Sequence, residues 1–128
     1  MKTQDIYRRE KRIKKVKLSD AEKFNNSDNC EVLEYPLNDP DINCATAIIT
    51  GRYPDNGYCV NEKCKELIYV IDGNGTLNKK DEVVSFEKGD VILIEKGEIY
   101  FWEANCKIVM PCTPEWYPEQ HKMLEEKI

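Results

Sequence analysis

The 128-residue chain holds a single histidine, His121, so no histidine cluster is available to hold a metal. It also lacks any C-x-x-C pair. Cys30, Cys44, Cys59, Cys64, Cys106 and Cys112 stand 14, 15, 5, 42 and 6 apart, which matches no paired-thiol knuckle. Long apolar runs are missing too. The longest aliphatic stretch, Val91 to Ile94, falls far short of the ~20 residues that a bilayer span requires. The N-terminus is charged where a secretory signal would be greasy. These absences argue against membrane insertion and secretion. They point to a cytoplasmic protein whose cysteines are free thiols packed as small apolar groups.

Charge of both signs is abundant but segregated. Residues 1–17 carry eight Lys/Arg against Asp5 and Glu10, a net +6, so with −5 overall the rest of the chain carries −11. A basic arm therefore precedes an acidic body. The arm holds one aromatic residue, Tyr7, and no base-reading motif follows it, so nucleic acid is not an expected partner. Ile6, Ile13 and Val16 fall near helical spacing, and an arm docked on the acidic body of its own or a partner chain is the simpler reading. A chain of this length buries one sizeable core. The expected organisation is an arm over 1–17 and a single domain over 18–128.

From Cys30 onward the apolar pattern has a period of two. Cys30 to Leu37, Cys44 to Tyr53, Glu66 to Asp72, Gly75 to Asn78, Glu82 to Phe86, Asp90 to Ile94, Glu98 to Ala104 and Lys107 to Pro111 are short β-rich runs. Turn residues separate them, including Asp72-Gly73-Asn74-Gly75, Lys88-Gly89-Asp90 and Lys96-Gly97. Such a cadence predicts an all-β sandwich or barrel. Helix is expected only over Met1 to Lys15 and Pro118 to Ile128.

The segment Glu66-Leu-Ile-Tyr-Val-Ile-Asp-Gly73-Asn-Gly75 resembles the second half of the first cupin motif, a glutamate followed after six residues by a hairpin glycine. Gly89-Asp-Val-Ile-Leu-Ile-Glu-Lys-Gly97-Glu-Ile-Tyr100 resembles the second cupin motif, and Pro111 to Gln120 resembles the closing segment of many single-domain cupins. The resemblance covers about residues 44 to 120. It implies a jelly-roll barrel, or double-stranded β-helix, with a ligand cavity between its two sheets. The chain departs from the family at the metal ligands. Its first-motif histidines fall on Cys59 and Asn61, or on Val60 and Glu62 with the shorter spacer. The second-motif histidine falls on Tyr100, and of the four-residue metal site only Glu66 remains.

If Glu66 faces the interior, Ile68 and Val70 face it too, and a carboxylate beside that lining suits general acid or base work. The alternative is a rim glutamate paired with Lys65 or Lys107. Tyr100 and Trp102 share one strand face with Glu98 and would wall a small polar ring. The expectation is a small-molecule-binding barrel without metal or other cofactor. Its ligand is a small polar or carbohydrate-like molecule, with Glu66 and Tyr100 as catalytic candidates and Tyr53, Cys59, Asn61, Glu98 and Trp102 as ligand contacts. Two alternatives stand beside it: a sugar isomerase or epimerase using Glu66 and Tyr100, and a metalloenzyme with a rearranged set of Cys59, Cys64, Glu66 and His121. Trp116, Tyr117 and His121 would staple the C-terminus to the barrel or cap its mouth. Small cupins commonly pair, and Leu67, Tyr69 and Ile71 on the opposite face of the Glu66 strand predict a homodimer.

Overall fold

The computed structural model describes residues 12–125. Nine antiparallel strands make up a curled sheet: β1 (Glu22–Ser27), β2 (Cys30–Tyr35), β3 (Asn43–Tyr53), β4 (Tyr58–Asn61), β5 (Lys65–Asn78), β6 (Val83–Glu87), β7 (Val91–Ile94), β8 (Ile99–Thr113) and β9 (His121–Leu124). The long β8 is the spine. It pairs with β3 from Asn43↔Cys112 to Tyr53↔Trp102 along one edge, and with β5 from Lys65↔Thr113 to Asn78↔Phe101 along the other. β2 and β1 extend the sheet beyond β3, β6 and β7 pair with β5, and β4 joins the start of β8 to β9.

Strict alternation along these strands closes the core. On β5, Glu66, Ile68 and Val70 are buried while Leu67 and Tyr69 are 44% and 48% exposed. Ile49 on β3 and Ile108 on β8 meet them inside. Each such fully buried aliphatic side chain contributes about 1.5–3 kcal/mol. The inward register expected for Glu66 is therefore the observed one.

The structure corrects three sequence expectations. The break expected at Gly73-Asn74-Gly75 does not occur, and β5 runs unbroken through it. There the two glycines serve close approach rather than a hairpin. Gly73 has φ +86°, and a Cβ on it would collide with the Asn105 carbonyl oxygen. A Cβ on Gly75 would collide with Ala104. Likewise the two runs expected at 98–104 and 107–111 are one strand. Gly89 and Gly97 do flank β7 at positive φ, as expected.

The expected C-terminal helix is absent. Pro118–Gln120 forms one 3-10 turn, after which β9 pairs with β4 through Asn61↔His121 and Val60↔Lys122; residues 126–128 lie outside the described residues. A strand edge waiting at β4 outweighs the helix propensity of a short charged tail. Most of the expected N-terminal helix, residues 1–11, also lies outside the described residues, and 12–17 have no regular structure. Lys14 ties this segment to the body, its Nζ donating to the carbonyls of Leu37 and Asn38 at 3.1 Å each. No helix among the described residues is long and apolar enough to cross a membrane. All six cysteines are free thiols.

Candidate functional site

A cavity of about 420 Å³ lies inside the curled sheet. Its floor is made by buried residues of four strands, among them Ile49, Glu66, Tyr100 and Trp102. The more exposed Glu22, Pro36 and Glu115 mark its mouth. Of the residues expected from sequence, Tyr53, Glu66, Tyr100 and Trp102 line this space.

Glu66 is the most buried carboxyl of the cavity lining. Its side chain is buried, and among the described residues no cation pairs with it. Lys65, offered above as its partner, instead pairs with Glu95 at 3.1 Å. Burial pushes the Glu66 carboxyl from 4.5 up to about 7; the Asn61 hydrogen bond opposes this shift and the charge of Glu34 adds to it. A carboxyl poised there exchanges protons readily in both directions at neutral pH.

Behind Glu66 runs a polar chain that sequence reasoning did not assemble. Asn61 Nδ2 donates to Glu66 Oε1 at 2.8 Å. Asn61 Oδ1 accepts from Gln120 Nε2 at 2.9 Å and faces His121 Nδ1 at 2.8 Å. His121 Nε2 in turn meets the Tyr53 hydroxyl at 3.0 Å, with the two rings parallel within 5°. Burial lowers the His121 pKa, keeping the ring neutral at neutral pH, and holds the Tyr53 phenol well above its ordinary value. No buried side-chain polar atom among the described residues lacks a partner. Asn61 lies just behind the cavity wall. Its expected role as a ligand contact becomes one of holding Glu66 and His121 in place.

Cys59 is also behind the wall. It is wholly buried and lies beside the Tyr100 hydroxyl. Burial pushes its thiol up to about 12, so it stays protonated. Tyr100 is likewise held neutral by burial and stacks edge-on against Trp102 at 6.4 Å. Trp102 packs edge-on against Phe86 at 5.6 Å as well, so it serves the core as much as the cavity.

Glu98 does not join the site. It points into a separate cleft of about 60 Å³ and pairs with Lys79 at 2.9 Å. Strand β8 begins at Ile99, so Glu98 precedes the alternation that carries Tyr100 and Trp102 inward.

The cavity adds a second carboxylate that the sequence reading passed over. Glu34 on β2 shares the inward face with Cys30 and Val32. Asn43 Nδ2 donates to it at 3.1 Å, and burial raises its pKa. The period-two pattern of β2 was enough to find it. The closing segment also contributes: Trp116 and His121 line the cavity, as Tyr117 does not.

The metal that the barrel family implies does not fit here. Among the described residues no three His, Cys, Asp or Glu side chains converge on one point. One oxygen of the single carboxylate left from that site, Glu66 Oε1, accepts from the Asn61 amide. Cys64 faces the Glu115 carbonyl and Cys112 rather than the cavity, which separates the rearranged Cys59, Cys64, Glu66 and His121 set.

No family model and no curated protein sequence matches the chain. Solved structures do. Streptomyces Pac13 with uridine superposes with a TM-score of 0.79 at 16% identity, over 90% of this chain and 93% of that one. Pac13 is described as a unique nucleoside dehydratase. The polyketide cyclase RemF from Streptomyces resistomycificus gives 0.66 at 15% identity, over 88% and 86%. Oxalate decarboxylase from B. subtilis gives 0.72 at 13%, over 89% of this chain and 33% of that one. At these identities the likeness is one of fold, a cupin-type barrel.

Proposed function

We propose that the barrel binds a small, uncharged, ring-bearing polar molecule of the nucleoside or carbohydrate class, and that Glu66 moves a proton on it without a metal. The observation that carries the reading is the Glu66 carboxyl, buried at the cavity floor, paired with no cation among the described residues and poised near neutrality. Charge supports the ligand class. Glu22, Glu34, Glu66 and Glu115 line the cavity, and among the described residues no lysine or arginine does. A phosphate or carboxylate would enter a field of its own sign. Tyr100, Trp102 and Trp116 offer ring faces to a planar group. The uridine that Pac13 holds is an uncharged nucleoside of this kind.

Thermal unfolding of the full chain with uridine, uridine 5′-monophosphate and a panel of neutral sugars tests the ligand class. An uncharged compound is expected to raise Tm, by about 2.7 kcal/mol of stability at a hundred times its Kd, and the phosphorylated one to leave it unchanged. Stabilisation by the phosphorylated compound alone overturns the charge argument. For the chemistry, Glu66→Gln is expected to lower turnover by about 10²–10⁴-fold while preserving binding, and chelation of the wild type to leave it intact. Turnover untouched by Glu66→Gln returns the protein to a pure binding role.

The outer face of the same strand completes the proposal. Leu67, Tyr69, Val91 and Leu93 are each 44–62% exposed and adjacent through the β5–β7 register. A second copy of the chain covers them in a homodimer, and Leu67→Lys is expected to shift sedimentation toward the monomer. A reducing, cytoplasmic setting fits the free thiols.

A further inference from the structure

The geometry points to Tyr53 as a second proton-transfer group of the cavity, facing the ligand and backed by His121, which Gln120 holds through Asn61 in the tautomer that accepts the Tyr53 proton. The inference rests on the acid–base reading of Glu66 above and supplies an opposing group for it. Removing a proton from one ligand atom in the same step as protonating another takes two groups, and Glu66 is one.

The polarity of each atom in the network follows from two backbone N–H groups. Those of Lys63 and Cys64 both donate to Gln120 Oε1 at 3.2 Å. That fixes the other end of the Gln120 amide as NH₂. Its only partner is then an acceptor, so Asn61 turns Oδ1 toward Gln120 and Nδ2 toward Glu66. The same Oδ1 lies 2.8 Å from His121 Nδ1, which must therefore carry a hydrogen. In a neutral imidazole the second nitrogen is then a lone pair, and the Tyr53 hydroxyl 3.0 Å away donates to it. Gln120 is 2% exposed and Asn61 1%, so neither has water as an alternative partner. The backbone of Glu62 further ties this corner together, its N–H donating to the Gln120 carbonyl at 2.9 Å.

The consequence is directional. The Tyr53 proton points at His121, which leaves the phenol oxygen's lone pairs free for the cavity that both residues line. A ligand hydroxyl bound there gives its proton to the Tyr53 oxygen as Tyr53 passes its own to His121 Nε2. The ligand oxygen keeps the electron pair, and His121 becomes an imidazolium whose Nδ1–H still meets Asn61 Oδ1. Protonated Glu66 supplies the proton that a second ligand atom takes up. The two transfers cancel in charge, and proton return from His121 to Glu66 through solvent or product resets the site. Burial disfavours a free tyrosinate, which is why Tyr53 relays rather than ionises. Tyr53 touches the ligand. His121, Asn61 and Gln120 act through it and are positioning residues.

Because His121 is the only histidine, ¹⁵N NMR of the labelled full chain reads its two ring nitrogens without assignment ambiguity. At pH 7.5 without ligand, Nδ1 is expected to show the shift of a proton-bearing nitrogen and Nε2 that of an unprotonated one. Tyr53→Phe is expected to leave Nδ1 unchanged and move Nε2 further toward the unbonded position. Glu66→Gln is expected to leave the tautomer alone. An Nε2–H tautomer, a charged ring at that pH, or an Nε2 shift indifferent to Tyr53→Phe overturns the inference whatever becomes of Glu66. Titration with uridine separates the two claims. A rise in Tm with an unmoved Nε2 signal in the wild type keeps the ligand reading and overturns the role of Tyr53. A shift of Nε2 in the wild type that is lost in Tyr53→Phe supports it. If uridine changes neither, the ligand reading fails on its own and the tautomer decides the inference.

Discussion

Glu66 and Glu98 sit in two hollows of one molecule, and they have opposite fates. The first faces a cavity of about 420 Å³ and the second a cleft of about 60 Å³, with Tyr100 lining both. Glu98 meets the Lys79 ammonium at 2.9 Å, and its side chain is 39% exposed. Glu66 is 9% exposed and meets only an amide. An exposed ion pair changes little, because water already solvates both partners. A lone buried carboxyl meets a large cost in its charged form and answers by holding its proton to about pH 7. The comparison teaches that a carboxyl denied a cation keeps its proton up to neutral pH, while one that meets a lysine in water does not need to.

The aromatic wall between the hollows offers the harshest way to break the contrast. Trp102→Ala removes a ring packed edge-on by Phe86 and Tyr100. It is expected to destabilise the fold by about 3–5 kcal/mol in urea unfolding, and a loss below 1 kcal/mol would mean the ring belongs to the cavity alone.

Next in size is the pH response of Glu66. Its folded pKa is raised, so the stability it contributes is complete below about pH 4.5 and drains away as pH rises through about 7. The shift corresponds to about 3 kcal/mol. Glu66→Gln is expected to be more stable relative to wild type at pH 8 than at pH 4.5 by that order. His121 works the other way. Its pKa is lowered from 6.5, so its contribution holds above that value and is lost as pH falls below it. Melting curves of wild type and Glu66→Gln across pH 4–8 separate the opposing slopes, because the variant keeps only that of His121. Parallel curves for wild type and Glu66→Gln would show that the carboxyl is solvated after all.

A smaller effect sharpens the picture at the rim of the network. Tyr53→Phe deletes one hydrogen bond to His121 and is expected to cost about 1 kcal/mol. The smallest comes from the other hollow, where Glu98→Gln is expected to change stability by under about 1 kcal/mol, less still at high salt. A larger loss there would make Glu98 part of the working site.

Much of the β architecture was legible because strand alternation is a local property. The spacing of Glu66, Ile68 and Val70 by itself places the carboxyl inside, and the same rule on Cys30, Val32 and Glu34 places Glu34. β5 breaks too early in the sequence pattern, since Gly73 reads as a turn whenever the strand pressed against it is unseen. Glu98 was misplaced because the alternation was carried one residue beyond the end of β8.

By itself, the sequence determined the β cadence, the inward face of β5, the absence of a histidine metal cluster and the carboxyl at Glu66. The strand features depend on near neighbours along the chain, and the histidine count on composition alone. Only the tertiary structure decided that β9 pairs with β4. That pairing brings Gln120 and His121 across some sixty residues to Asn61. The tail's own residues favour a helix no less than a strand, so its fate rests on the unpaired edge it meets. With that edge come the polarity of Asn61, the tautomer of His121 and the direction of the Tyr53 proton, because a hydrogen bond is settled by both of its partners.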